Sequence, residues 1–360
     1  MSDQNQSYSK KQYVNENVKK CLQAYNKRIE QTTKDYNEMC QEIYTPKHQL
    51  RGDIFMCTWN VNEHALDEHC ANTIRELQNV STKIIVLAFQ EVEKVRNAFM
   101  GRHNNAQADI KKIVESFCPK YQIVKNIEGS NQILVILADP GRVNIQDFDA
   151  RVTVLNSGFG QKSVTKGALC ADITYHDQEK NQYVEICFLA AHLNAHEDTR
   201  SLTDKKCFFE QRVMDFSHIL YECNAWYSKN HSTVEKFLDF DIIFGGDLNW
   251  RMLYDKPERH MHFDKKKFDV EAFVMKNEFG FDENEINFRP TYKVHKENPS
   301  LYNYRPDKTP NHHMPSWTDR LLFHSPSKKI KQIDYDILLE YPDIEVSDHL
   351  PVCAVYNIMK

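Results

Sequence analysis

From Asp53 onward the chain alternates short, continuously apolar runs with polar stops. Ile54–Trp59 (IFMCTW) and Ile84–Phe89 (IIVLAF) have the length of buried strands, and they run into Asn60-Val61-Asn62-Glu63 and Gln90-Glu91. Residues 106–117 carry a helical pattern, and strands are predicted at 121–127, 132–138 and 151–156. Ser157–Gly167 reads as a glycine-containing loop; strands follow at Ala168–Tyr175 and Val184–Ala191, then a helix over 202–223. Ile242–Phe244 is another apolar run, stopped by Gly245-Gly246, and residues 254–314 beyond it are charged and rich in histidine. The chain closes with runs over Trp317–Phe323, Ile330–Leu339 and Pro351–Ile358. Many apolar strands and few helices predict an α/β fold of two stacked sheets covered by helices. No repeat, low-complexity segment or linker interrupts residues 51–360, which predicts one domain there.

Residues 9–46 follow a different rhythm. They are polar, without glycine and without proline before Pro46. Their less polar positions fall at Val18, Leu22, Tyr25, Ile29, Thr32, Tyr36, Met39 and Ile43, in alternating steps of four and three. Two readings follow: a coiled coil forming a homodimer through residues 18–43, or a helix laid against its own domain. Residues 1–50 are set apart as an N-terminal helical extension with no visible chemistry.

Composition narrows the class. The chain has 360 residues with 41% hydrophobic and 27% charged content, which suits a soluble globular protein. A formal net charge of −5 argues against a nucleic-acid partner, which an excess of Lys and Arg usually meets. The 10 cysteines show no C-x-x-C pair, and Cys57, Cys187 and Cys353 sit in apolar runs, as reduced core thiols of a cytoplasmic protein do. The N-terminus has no secretory h-region, and no apolar run approaches the ~20 residues of a membrane span. A membrane would be met peripherally, from the cytoplasm.

The candidate chemistry lies where strands stop. In DIIFGGDLNWR, Asp247 and Asn249 stand two apart, so an extended chain points both the same way at the mouth of a sheet. A turn that merely caps the strand would explain that pair alone. Asn60, Gln90-Glu91, His192 and His196, Asp319-Arg320 and Ser347-Asp348-His349 recur at other strand ends, and such ends converge in space. Glu91 and Asn60 offer hard oxygen ligands suited to Mg²⁺, which binds through few carboxylates and a substrate phosphate. Asp247 as base, His349 and His192 as phosphate donors, and Asp319 orienting an imidazole would make a metal-assisted phosphoester hydrolase.

TWNVNE, HLNAH, GGDLNWR, PSWTDRLLF and SDHLPV, in that order over roughly 53–357, resemble the signature blocks of the inositol polyphosphate 5-phosphatases of the endonuclease/exonuclease/phosphatase superfamily. The resemblance implies a four-layer α/β/β/α sandwich of two mixed sheets flanked by helices. It implies that Asn60 and Glu91 hold Mg²⁺ with Asp348 nearby, and that His192 and Asn249 contact the scissile phosphate. Asp247 would position the attacking water, and His349, with Asp319 behind it, would bind the phosphate. Lys166, Tyr292 and Lys293 would face the substrate, the last two at an inositol 4-phosphate, with Arg320 as a further substrate contact. The implied partners are phosphoinositide head groups or soluble inositol phosphates, met at a transient membrane surface or free. The alternatives are an inactive relative that only binds head groups and another phosphodiesterase, such as a nuclease. The chain departs from the pattern at Glu63, Val164-Thr165, Asn194, Asn311 and His313, the last two standing where cations are usual.

Overall fold

A computed structural model of the chain describes residues 50–67, 70, 74–92, 106–156, 162–195, 208–230, 236–251, 270–298, 301–303, 315–338 and 346–360. All of them fall within the unit Tyr44–Lys360. The seam over residues 18–43, His196, Asn311 and His313 lie outside the described residues.

Among the described residues, eleven strands form two mixed sheets. The first has the order β10-β11-β1-β2-β4-β3 and the second β5-β6-β7-β8-β9. In chain order they are β1 (Ile54–Asn60), β2 (Ile84–Gln90), β3 (Gln122–Gly129), β4 (Gln132–Ala138), β5 (Val143–Asn156), β6 (Lys162–Asp177), β7 (Gln182–His192), β8 (Ile242–Asp247), β9 (Asp319–His324), β10 (Ile330–Ile337) and β11 (Val352–Ile358). Only β1–β2 and β7–β8 run parallel, at the centres of their sheets. Of these, β1, β2 and β8 are buried along their whole length, and β7 over its second half, so the continuous apolar runs were needed.

The alternation of side chains divides the core into layers. Phe55, Cys57 and Trp59 of β1 pack outward with Ile110, Ile113 and Val114 of helix α1 (Ala106–Phe117). Across the molecule, Leu189, Ala191, Ile242 and Phe244 pack outward with Phe216, Ile219 and Cys223 of helix α2 (Phe208–Asn230) and Met275 of helix α3 (Val270–Phe279). The inner faces meet through β1, β2 and β11 on one side and β8 and β9 on the other. This is the four-layer α/β/β/α sandwich.

Three local expectations are corrected. Residues 162–167 are not loop but the start of β6, paired back to Asn156 and onward to β7. β5 begins at Val143 rather than 151, because its polar, half-exposed first half pairs with β6 and needs no apolar run. The stretch 254–314 contains α3, whose charged outer positions hid its helical period. No helix among the described residues is long and apolar enough to cross a membrane.

Candidate active site

Register brings three of the expected groups into one row. His192 pairs with Asp247 across β7–β8, and Asp247 with Asp319 across β8–β9. Asn60 ends β1 in the facing sheet and donates from Nδ2 to Asp247 Oδ2 at 2.9 Å. Gly246, with φ 143°, lets the strand turn there; a Cβ would run into the Ala191 carbonyl. The segment carrying His349 is pinned onto β1, since Trp59 Nε1 donates to His349 O at 3.0 Å and Ser347 Oγ to Asn60 O at 2.6 Å.

Asp247 is thus met from three sides. His192 Nε2 lies 3.3 Å and His349 Nε2 3.9 Å from its Oδ2. Burial raises its pKa, but His349, His192 and Lys166 outweigh that and hold the carboxyl well below the usual range. It is therefore fully ionised and weakly basic, better at orienting a water than at stripping it of a proton.

The two histidines are driven in opposite directions. Burial lowers the pKa of both. For His192 the Lys166 ammonium, in contact with Nε2, adds to that effect, so the imidazole is neutral near pH 7. For His349, Asp319 and Asp247 overcome burial and raise the value to about 9. Its Nδ1 lies 2.9 Å from Asp319 Oδ2, which also accepts from Thr291 Oγ1 at 2.7 Å and Thr318 Oγ1 at 2.8 Å. Those two threonines were not singled out from sequence, although Thr318 lies inside the quoted PSWTDRLLF block and Thr291 directly precedes Tyr292. His349 is a charged donor at neutral pH, with its ring fixed from behind.

Glu91, at φ 54°, places Oε1 3.7 Å from His192 Nε2 and 3.9 Å from Lys166 Nζ. Burial keeps the Lys166 pKa below its ordinary value, against the pull of Asp247 and Glu91. Asn249 donates from Nδ2 to Leu193 O at 3.1 Å and from its backbone N to Asp247 Oδ1 at 3.1 Å. The Tyr292 ring lies 4.6 Å from that of His349, centroid to centroid, tilted by 42°. Glu63, in the turn after β1, takes the left-handed φ of 62° that glycine usually supplies.

Two expected residues are placed differently. Arg320 follows Asp319 on β9 and so points to the opposite face, where its guanidinium grips Glu283 and lies 4.9 Å from the Trp250 ring. It is not brought to the Asp247 cluster, because its charge is engaged in a buried ion pair. Asp348 pairs with Lys293 at 3.0 Å rather than with Asn60 or Glu91. Burial raises the Asp348 pKa, and His349 and Lys293 reverse that.

The oxygen donors Glu91, Asn60 and Asp247 suit a hard divalent cation. Asn60 Oδ1 accepts from Asn62 N at 2.9 Å, which fixes its orientation and leaves a second lone pair. Asp247, Asp319 and His349 also offer atoms within 4.8 Å of one another. Of these, Asp319 already has one oxygen, Oδ2, taken up by His349 and the two threonines.

The chain matches the model of the endonuclease/exonuclease/phosphatase family 2 over residues 57–355 and belongs to that family. Similar curated proteins in it bear the name 5-phosphatase. The mouse type II inositol 1,4,5-trisphosphate 5-phosphatase is 24% identical, over 88% of this chain and 30% of the relative. The chain therefore spans under a third of that relative's length. The Arabidopsis thaliana type IV inositol polyphosphate 5-phosphatase 9 is 24% identical, over 89% of this chain and 82% of the relative. Among solved structures, the inositol polyphosphate 5-phosphatase domain of SPsynaptojanin, in complex with inositol (1,4)-bisphosphate and calcium ion, matches with TM-score 0.57. It is 19% identical over 85% of each chain. A Cimex nitrophorin matches at 0.54 and 17% identity, covering 85% of this chain and 98% of that one. The fold by itself therefore leaves the chemistry open.

Proposed function

We propose that this chain hydrolyses the 5-phosphate of inositol phosphates, as soluble inositol polyphosphates or as phosphoinositide head groups met at a membrane surface, with Mg²⁺ as cofactor. The observation that carries the reading is the ionised Asp247 carboxylate held among Asn60, His192 and the charged, Asp319-backed His349. Asp247 orients the attacking water. His349 donates from Nε2 to a phosphate oxygen as negative charge develops, and Asn249 adds a neutral donor. Neutral His192 takes or gives a hydrogen bond without adding charge, while Lys166 beside it faces the phosphate. Glu91 and Asn60 would hold the cation, which supplies Lewis-acid charge to the phosphoryl oxygens. Tyr292 and Lys293 lie next to His349 and Asp348, where a neighbouring 4-phosphate would be met. A relative that only binds head groups would not need an Asp–His pair poised at opposite charge beside a second, neutral histidine. The acidic balance of the chain disfavours a nuclease.

The test is phosphate release from a panel of defined inositol phosphates and phosphoinositides, with position of release resolved, with Mg²⁺ and with chelator. Release confined to the 5-position and abolished by chelator is expected. Release from another position, release untouched by chelator, or tight head-group binding without turnover would overturn the reading.

A further inference from the structure

Arg251 closes the segment that carries Asp247 and Asn249. It is 7% exposed, and its Nε and Nη1 have no hydrogen-bond partner. Its third nitrogen, Nη2, donates not to a carboxylate but to the Asn249 side-chain oxygen, at 2.7 Å. The guanidinium carbon, Cζ, lies 4.3 Å from the centroid of the Tyr292 ring. Burying a guanidinium with two nitrogens, three N–H groups, unmet is unfavourable, and a fold that needed only packing would place an apolar side chain there. Such departures concentrate where a site demands them.

The demand is visible in Asn249. A side-chain amide has one accepting end and one donating end with two protons. Arg251 occupies the accepting end. The donating end gives one proton to Leu193 O at 3.1 Å. A flipped amide would set Nδ2 against Nη2, donor against donor, and Oδ1 against the Leu193 carbonyl, acceptor against acceptor. Arg251 therefore admits one orientation only, with the second Nδ2 proton left for a ligand beside Asp247. An anion finding a carbonyl oxygen there would be repelled. Tyr292 is held in the same way, between the guanidinium and the His349 ring 4.6 Å away.

We infer that Arg251 is a positioning residue: it fixes the Asn249 amide as a donor toward the scissile phosphate, and acts on the reaction through that amide rather than by touching substrate. The inference rests on the hydrolase reading above for its kinetic consequence, but not for its structural one. Lysine would keep the charge while losing the planar fork that meets the amide oxygen and stacks on Tyr292.

The experiment is a double-mutant cycle in full-length protein, with Mg²⁺ and the best substrate of the panel. Arg251→Met should lower kcat roughly 10²-fold, the effect of losing one donor to a developing oxyanion, with KM nearly unchanged. Asn249→Ala should lose a similar factor, and the double variant should fall no more than about 3-fold below Asn249→Ala, because acting groups in one chain are not additive. Losses that multiply in the double variant, or an Arg251→Met enzyme at wild-type kcat, would overturn the inference. A second readout does not involve turnover. In protein labelled with ¹⁵N-asparagine, the side-chain amide pair that disappears in Asn249→Ala should exchange slowly with solvent in wild type and rapidly in Arg251→Met. An unchanged pair would overturn the inference whatever the kinetics. If wild type released no phosphate, the hydrolase reading would fall and the amide exchange would still decide the role of Arg251. Should Arg251→Met fail to fold, Arg251→Lys carries both readouts, with a smaller loss expected in each.

Discussion

At the end of the sandwich where β1 and β2 begin, Lys83 lies 2.9 Å from Asp53, 2.6 Å from Asp177 and 3.2 Å from Glu179, with its side chain 1% exposed. Lys180 reaches Asp53 as well, at 2.5 Å, and Ile358 N donates to Asp53 at 2.7 Å. Where the same strands stop, Asp247, Glu91, Lys166, His192, His349 and Arg251 are crowded with comparable closeness. The difference is in what is left over. No atom of Asp53, Lys83, Asp177 or Lys180 is a buried polar group without a partner, whereas His192 Nδ1 and two nitrogens of Arg251 are. Burial lowers the Lys83 pKa and raises that of Asp53, and in each case the partners reverse the effect. Both are thus locked in their charged forms. The closed network bolts the two sheets together, from Lys83 before β2 to Asp177 at the end of β6. The open one keeps charge available for a ligand. Neither buried charge nor an unmet group is by itself the sign of a site, since Arg151, paired with Asp172 and set over Trp226, also has two nitrogens without a partner; what sets the mouth apart is that its unmet groups accompany Asp247, Glu91 and His349 at converging strand ends.

Substitutions should separate the two ends, beginning with the largest effect. Asp247→Asn is expected to cost at least ~10²-fold in kcat through the lost charge and the lost orientation of the attacking water, and His349→Ala about 10²–10³-fold through the lost phosphate donor, with both proteins still folded. Phosphate-release kinetics beside circular dichroism would check this. Lys83→Met should do the reverse: leaving Asp177 buried without its cation, and Asp53 with Lys180 alone, should destabilise by roughly 3–5 kcal/mol, read by urea unfolding, with kcat of the folded protein unchanged.

Acidity supplies a finer contrast. The folded pKa of His349, about 9, lies above its ordinary 6.5. Its contribution to stability is therefore fully present below pH 6.5 and fades as pH rises through about 9. Asp319→Asn should flatten that loss of stability between pH 6.5 and 9 and move the alkaline limb of kcat/KM downward. A pH-stability curve with no difference between the two proteins in that window would count against His349 being charged. The smallest expected effect is at Lys293. Because Asp348 already draws on its charge at 3.0 Å, Lys293→Ala should change the preference for a 4,5-bisphosphate over a 5-monophosphate head group only several-fold in kcat/KM. A change of ~10²-fold would mean that Lys293 leaves Asp348 for the substrate.

Much of this was legible in the chain itself. The central strands had to be apolar on both faces, so β1, β2, β8 and β11 announced themselves, and polar residues at their ends marked the mouth. Helix α1 stands over Ala106–Phe117, where its period placed it. The less legible features share a cause. Arg320 and Asp348, which the resemblance implies at the substrate and near the metal, have partners, Glu283 and Lys293, that are remote in the chain and meet them only in the fold. Residues 162–167 looked like a loop because the start of β6 is polar, and its pairing, Lys162 with Asn156 and Gly167 with Val154 and His192, appears only in the fold. Lys83 and Asp177 gave no signal, since a lysine before a strand and an aspartate in a turn are ordinary surface residues until two sheets close over them. Arg251 sat in plain view in GGDLNWR, but its unmet N–H groups exist only in three dimensions.

The central claim is that Asp247 is an acting group and not a structural one. The most direct test compares wild type and Asp247→Asn for 5-phosphate release from a 4,5-bisphosphate head group near pH 7 with Mg²⁺, alongside thermal melts of both. The account predicts a loss of at least ~10²-fold in turnover with melting temperatures within a few degrees of each other. Near wild-type turnover in Asp247→Asn, or a collapse of its melting temperature that accounts for the lost activity, would contradict it.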